Sequence, residues 1–381
     1  MNQKRHISAA AALLCGALLL NALGTASCGE TSETPARGET SEAAATREII
    51  VDAPVGTEPA GAASAPASAA SSGDRASSGH TASPENPDSG ASSSVRLAFC
   101  GDIYLSNYVL GAYDAAGAVS GILDERLLAA GKDADLFIAN EEFPFGTAGE
   151  AAPDKQFTFR VDPGRCRILK ELGVDLVTLA NNHTLDYGRA CLSETFDTLE
   201  QNGIAYMGAG ADIARAEKLM TYEVNGVKLG FLAASRVIPD YSWNASETTS
   251  GLLTAYDPAR LLAAVRAAEA ECGFTAVYLH WGIERHTEPE SYQTELAEQL
   301  IDAGADLVIG SHPHVLQPIR FYRGVPIVYS LGNYLFGSSI PSTELLLADV
   351  TPDGSVSVSV IPAAGSGGRT VSTGAAEAVT P

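Results

Sequence analysis

Val95-Arg96-Leu97-Ala98-Phe99-Cys100-Gly101-Asp102 is a short apolar run that stops on a glycine and a carboxylate, as a buried strand entering a loop reads. The same pattern recurs downstream. The run 135–139 ends in Asn140-Glu141-Glu142, and 174–180 ends in Asn181-Asn182-His183. The run 275–279 ends in His280-Trp281-Gly282, and 306–309 ends in Gly310-Ser311-His312-Pro313-His314. Between them lie amphipathic stretches with helical spacing at 165–172, 191–201, 258–272 and 292–303, several closed by a glycine such as Gly173 or Gly203. Alternating strand and helix predicts a layered α/β domain, with the polar clusters at the carboxyl ends of strands, where open α/β sheets place their sites.

Further on, the pattern turns to strand. The runs 219–224 and 228–233 flank Asn225-Gly226, a strong two-residue hairpin signal. The stretches 319–322, 325–336 and 345–361 also read as strands, so a second sheet is expected. The folded domain is placed at 95–364, with 365–381 as a frayed tail.

The amino-terminal third reads differently. Met1 to His6 is polar and basic, 7–23 is apolar, and small residues lead to Cys28, the order of a secretory signal. Thr25-Ala26-Ser27-Cys28 resembles the site where a bacterial lipoprotein is cut and lipidated, so residues 1–28 are assigned as a signal peptide with lipid on Cys28. Cleavage near Ala26 and an uncleaved apolar anchor are the other readings, and all three put the remainder outside the cytoplasmic membrane. Residues 29–94 contain no aromatic residue, Leu or Met, so they cannot bury enough apolar surface to offset ordering entropy and are expected as a disordered linker. Such a coil spans roughly 45 Å end to end, enough to hold a domain clear of a membrane.

The 381-residue chain carries 46 acidic and 24 basic residues, a net charge of −22. That disfavours nucleic acid and leaves no basic face for anionic lipid. An anionic substrate would need a metal or local arginines. Cys100, Cys166, Cys191 and Cys272 match neither a zinc ribbon nor a dense disulfide framework, and leave room for a single bridge.

A hydrolytic metal site draws oxygen and imidazole ligands from several strands, so its ligands appear singly at strand ends across the chain. Asp102, Glu142 and Asn182 offer oxygens in that pattern, and His280, His312 and His314 offer nitrogens. Each alone has an ordinary reading: a strand-end Asp commonly caps a loop, and a lone His is commonly a hydrogen-bonded core residue. In His312-Pro313-His314, alternate residues of an extended segment would put both rings on one side. Their conjunction points to a divalent metal, one or two ions, with Mn, Fe or Zn suited to mixed O and N donors.

These stretches, with Leu179-Ala180-Asn181-Asn182-His183, Asp186, Gly188, His280-Trp281-Gly282-Ile283-Glu284 and Tyr329-Ser330-Leu331-Gly332-Asn333-Tyr334, occur in an order that resembles the CapA capsule-synthesis proteins. That family is implicated in poly-γ-glutamate production and lies within the calcineurin-like metallophosphatase superfamily. The resemblance covers about 95–337 and implies a metallophosphatase-like β-sandwich flanked by helices. It further implies that Glu142 bridges two metals, with Asp102 and His314 on one ion and Asn182, His280 and His312 on the other. His183 would be the catalytic general acid or an anion clamp. Asp186 and Glu284 would orient histidines, and Arg160 or Arg285 could meet an anionic group. The wider superfamily has a His ligand two residues after the first Asp, where this chain has Tyr104. The site could then be mononuclear, hold its first ion weakly, or bind without turnover.

The expected function is an extracytoplasmic metal-dependent hydrolase-like protein of capsule or poly-γ-glutamate biosynthesis, cleaving a phosphoester or an amide. The alternative is a non-catalytic accessory protein that binds a polyanionic polymer, or its membrane-bound synthase, through a degenerate metal site.

Overall fold

The computed structural model describes residues 94–381. The expected signal peptide with Cys28, and all of the expected linker except Ser94, lie outside the described residues. Among the described residues no helix is long and apolar enough to cross a membrane.

Strands Leu136–Glu141, Phe274–His280 and Leu307–Ser311 are buried along their whole length, and Val95–Ile103 is buried at all but Arg96. Strands apolar on both faces need a covering layer on each side. The chain supplies it with two sheets packed face to face and helices on both outer faces. In the first sheet, Val95–Ile103, Leu136–Glu141, Leu176–Thr178 and Ala205–Met207 run parallel. Beyond Val95–Ile103 the sheet continues antiparallel through Ser339–Val350 and Val356–Ser366. The second sheet has Val227–Ser235, Phe274–His280, Leu307–Ser311 and Val325–Leu331 parallel, with antiparallel edges at Met220–Val224 and Leu316–Tyr322.

Three apolar clusters match these layers. Leu97, Phe99 and Ile138 of the first sheet pack against Phe231, Tyr278 and Ile309 of the second. The first sheet's outer face packs on helices Asn107–Ala116, Glu125–Lys132, Arg167–Leu172 and Gly188–Asn202. Helices Ala259–Glu271 and Ser291–Asp302 cover the second sheet. The architecture is the expected α/β sandwich flanked by helices. The hairpin also forms where expected, with Asn225 and Gly226 at φ 52° and 80°, the left-handed pair that a two-residue turn requires.

One expectation changes, and one possibility left open is closed. The segment expected as a frayed tail carries strands Arg369–Ser372 and Glu377–Val379, both paired antiparallel with Val356–Ser366. Thr370 Oγ1 donates to Tyr334 O at 2.6 Å, and Ser372 N donates to Asp124 Oδ2 at 2.8 Å. Their small polar residues carry little strand signal, and it is the long free edge of Val356–Ser366 that orders them. No disulfide forms among the four cysteines of the domain: all are free, and three are buried.

Gly101 admits a close approach that places the first site residue. A Cβ there would lie 1.8 Å from Gly332 O, the carbonyl that accepts the Asp102 N–H at 3.0 Å. The obstacle is backbone on both sides and cannot be relieved by a rotamer change. Gly101→Ala is expected to destabilise the domain by about 3 kcal/mol, the upper end of ordinary overpacking, as read by urea unfolding.

Candidate metal centre

The site forms where parallel strands of both sheets end. Asp102 is fully buried; its Oδ1 accepts from Asn140 Nδ2 at 2.8 Å, and its Oδ2 lies 3.3 Å from His312 N and 3.2 Å from His314 Nδ1. Glu142 follows Leu136–Glu141 and is tied by its N–H to Ile103 O at 2.9 Å. His280 closes its strand, with Nδ1 3.0 Å from Ser311 Oγ and Nε2 2.9 Å from Asn182 Oδ1. His312 and His314 follow Leu307–Ser311 in a turn, not the extended segment expected, with φ of 97° and 56°. Left-handed backbone at two non-glycine residues is strained. The hold on the turn is visible: Asp102 receives its amide, and Asn333 Oδ1 lies 2.8 Å from His314 Nδ1.

Two donor sets converge, Glu142 with His280 and His312, and Asp102 with Glu142 and His314; within each, the donor atoms lie within 4.8 Å of one another. Glu142 belongs to both. Neither of its carboxylate oxygens has a hydrogen-bond partner, although both are buried, and Oε1 stands 3.5 Å from His280 Nε2 and 3.9 Å from His314 Nε2. Burial pushes the Glu142 carboxyl well above its usual range, and Asp102 adds to the rise. Burial, with neighbouring imidazoles, drives His280 and His312 well below the ordinary histidine value, so both are neutral, the form in which an imidazole ligates a metal. An orphaned carboxylate facing neutral imidazoles is costly without a cation and suited to one. These residues fit a divalent ion.

Beside this pocket, His183 Nδ1 lies 2.6 Å from Asp186 Oδ2. Asp186 also accepts from Lys155 Nζ at 2.5 Å and from Phe159 N at 2.6 Å. Burial pushes His183 down to about 4, against Asp186 and with Lys155. Phe159 stacks on the His183 ring at 3.9 Å and on Tyr104 at 4.0 Å. Tyr104 is therefore packed as an aromatic, its phenol raised further by burial. Glu284 and Arg285 are exposed, while Arg160 lies over the Tyr187 ring and donates to Thr147 O and Ala148 O. The structure thus gathers Asp102, Glu142, Asn182, His183, Asp186, His280, His312 and His314 in one place, and leaves Glu284 at the surface.

The profile of the bacterial capsule synthesis protein family PGA_cap matches residues 96–338. The chain belongs to that family. It is 32% identical over 244 residues to the PGA biosynthesis protein CapA of Bacillus subtilis (strain 168), covering 64% of this chain and 63% of that one. It is 29% identical over 216 residues to the capsule biosynthesis protein CapA of Bacillus anthracis, covering 55% and 52%. It is also 34% identical over 209 residues to a "Probable polyglutamine synthesis accessory protein" of Mycobacterium tuberculosis (strain ATCC 25618 / H37Rv), covering 52% and 55%. The chain thus spans between about half and five eighths of the length of these relatives.

Sequence reasoning missed three residues of the site. Asn140 joins Asp102 to Asn181, donating to one and accepting from the other, and its place at a strand end was the available signal. Phe159 gave no signal. Lys155 was not singled out at all, yet its side chain is mostly buried and also donates to Asn182 O.

His314 supplies a pH-dependent test. Burial opposes its charge, but Glu142 and Asp102 outweigh burial and push it up to about 10. Without an ion it is therefore protonated at neutral pH, and an ion bound through it must displace that proton. Affinity for that ion is expected to fall about tenfold per pH unit as pH drops below about 10. Calorimetry in two buffers of different ionisation enthalpy should show proton release on metal binding at pH 7.5. No release would remove His314 from the ligand set.

Proposed function

We propose that this domain is a metal-dependent hydrolase acting on an acidic cell-envelope polymer, in the making or processing of a γ-linked polyglutamate capsule. The observation that carries the reading is Glu142, shared between two donor sets and left without a hydrogen bond among three imidazoles. Mn, Fe or Zn, as one ion or two, would be held by Asp102, Glu142, Asn182, His280, His312 and His314. Such an ion would supply Lewis acidity and a water reactive at neutral pH.

The chain's own residues supply the proton handling. The 2.6 Å contact with the Asp186 carboxylate favours the proton of His183 on Nδ1, with Nε2 as an acceptor, against the donor Lys155 Nζ that lies 3.1 Å from the same nitrogen. With its pKa near 4, His183 is neutral at pH 7 and fit to take a proton and return it to the leaving group, not to begin as the acid. Phe159 packed on its face limits ring rotation and screens it from water. The polymer assignment draws on the relatives' names, and the bond cleaved, amide or phosphoester, on the donor set alone.

One observation favours the second reading, a non-catalytic accessory protein that binds the polymer or its membrane synthase. Tyr104 is packed into an aromatic stack, which leaves the Asp102 and His314 set with one nitrogen. The two readings separate in one assay of γ-linked polyglutamate and a generic phosphodiester, with and without Mn²⁺ or Zn²⁺. The hydrolase reading expects metal-dependent product, lost in Glu142→Gln. That variant is also expected to lose metal affinity by more than the roughly 10–100-fold typical of residues that merely support a ligand. Its metal-induced rise in melting temperature should vanish accordingly. Tight polymer binding with no product from the wild-type chain would sink the hydrolase reading.

We further propose that lipid on Cys28 anchors the domain outside the cytoplasmic membrane, with 29–94 as its tether. Cys28→Ser is expected to move the protein from the detergent phase to the aqueous phase in a partition assay.

A further inference from the structure

Arg236 is the first residue beyond Val227–Ser235, and its N–H donates to His280 O at 2.8 Å. It therefore sits on the same rim of strand ends as the metal ligands. Its guanidinium lies over the ring of Tyr256 at 4.3 Å and that of Tyr292 at 5.1 Å. Both rings are themselves held by backbone: Tyr292 Oη accepts from Gly282 N at 2.6 Å, and Tyr256 Oη from Ile238 N at 3.3 Å. Gly282 and Ile238 each lie two residues beyond His280 and Arg236 respectively, so the aromatic seat belongs to the loops that carry the site.

What this cation lacks is an acid. In a chain of net charge −22, Arg96, Arg165, Arg260, Arg320 and Arg323 all form ion pairs with carboxylates. Among the described residues Arg236 forms none; Arg160 and Arg189 also lack a carboxylate but spend their donors on backbone carbonyls, whereas Arg236 Nη1 is buried without a hydrogen-bond partner. A guanidinium brings five N–H donors in a planar fork that matches a carboxylate or phosphate edge. Fixed by two rings, only partly buried and with its donors unspent, it is pre-organised for an oxyanion that the chain does not provide.

We infer that Arg236, seated by Tyr256 and Tyr292, is an oxyanion-recognition subsite on the rim of the metal pocket, taking a carboxylate of the polymer. The identity of the ligand rests on the polymer reading above; the subsite itself rests on the geometry. A γ-linked glutamate chain carries one free carboxylate per residue, so one unit could lie at the metal pocket while a neighbour is held at Arg236. The subsite also meets the need for a local cation that the acidity of the chain imposes.

The test uses the full chain loaded with Mn²⁺, a labelled γ-linked glutamate decamer read by fluorescence anisotropy, and inorganic phosphate read by calorimetry. Arg236→Met keeps the packing and removes the charge; Arg236→Lys keeps the charge and removes the fork. The expected result is decamer binding at least about tenfold weaker in R236M and intermediate in R236K, with metal content per chain as in the wild type. If R236M does not fold, a weaker decamer affinity in R236K alone supports the subsite. Should the wild type bind phosphate but no decamer, with phosphate binding lost in R236M, the subsite stands and the polymer reading falls. Decamer binding unchanged in both folded variants overturns the subsite while leaving the polymer reading in place. Binding of neither probe by the wild type also overturns it.

Discussion

A buried carboxylate without a donor is the constraint around which this domain is arranged. Glu142 has no hydrogen bond at either oxygen, and Asp102 lies close enough to raise its proton affinity further. Leaving such a group in an apolar interior costs the full desolvation penalty. The surroundings suit a cation: two imidazoles are held neutral by burial, and the two carboxylates raise the proton affinity of a third. The strained turn through His312 and His314 fits the same demand, because extended backbone would not bring both rings and the His312 amide to one pair of acids.

The fold was largely legible because its signals are local. Fully apolar runs imply strands covered on both faces, and each ends in a polar group within two or three residues, so strands and ligands are read in the same windows. The paired histidines and the Asn225-Gly226 turn were equally visible. What escaped reading depends on partners far along the chain. Lys155 becomes part of the site through Asp186, and Arg236 gains its character from Tyr256 and Tyr292. The last two strands exist because Val356–Ser366 offers them an edge. The His312 turn failed for a different reason: alternation is a rule for extended backbone, and the positive φ values remove its premise.

Charge is distributed unevenly in a way composition does not show. The domain is strongly acidic, yet the site where strands end holds a mostly buried lysine, a guanidinium without a carboxylate partner and a set of imidazoles. A general negative field combined with a few fixed cations suppresses loose association and favours ligands that present their charges at the right spacing.

The pairing of Val95–Ile103 with Ser339–Val350 has a further consequence, for how the chain reaches this state. Ala98 meets Leu347, about 250 residues further along, so the strand that founds the first sheet gains this neighbour only once Ser339–Val350 has been made. Closing so long a loop precedes any reward from the contact, so folding should be slow and governed by its ends. Asp102 emerges early and His314 late, and only the closed sandwich brings them together. The donor set is a property of the finished domain, and no amino-terminal fragment can assemble it. Assembly of the pocket then reports that the whole sandwich has closed.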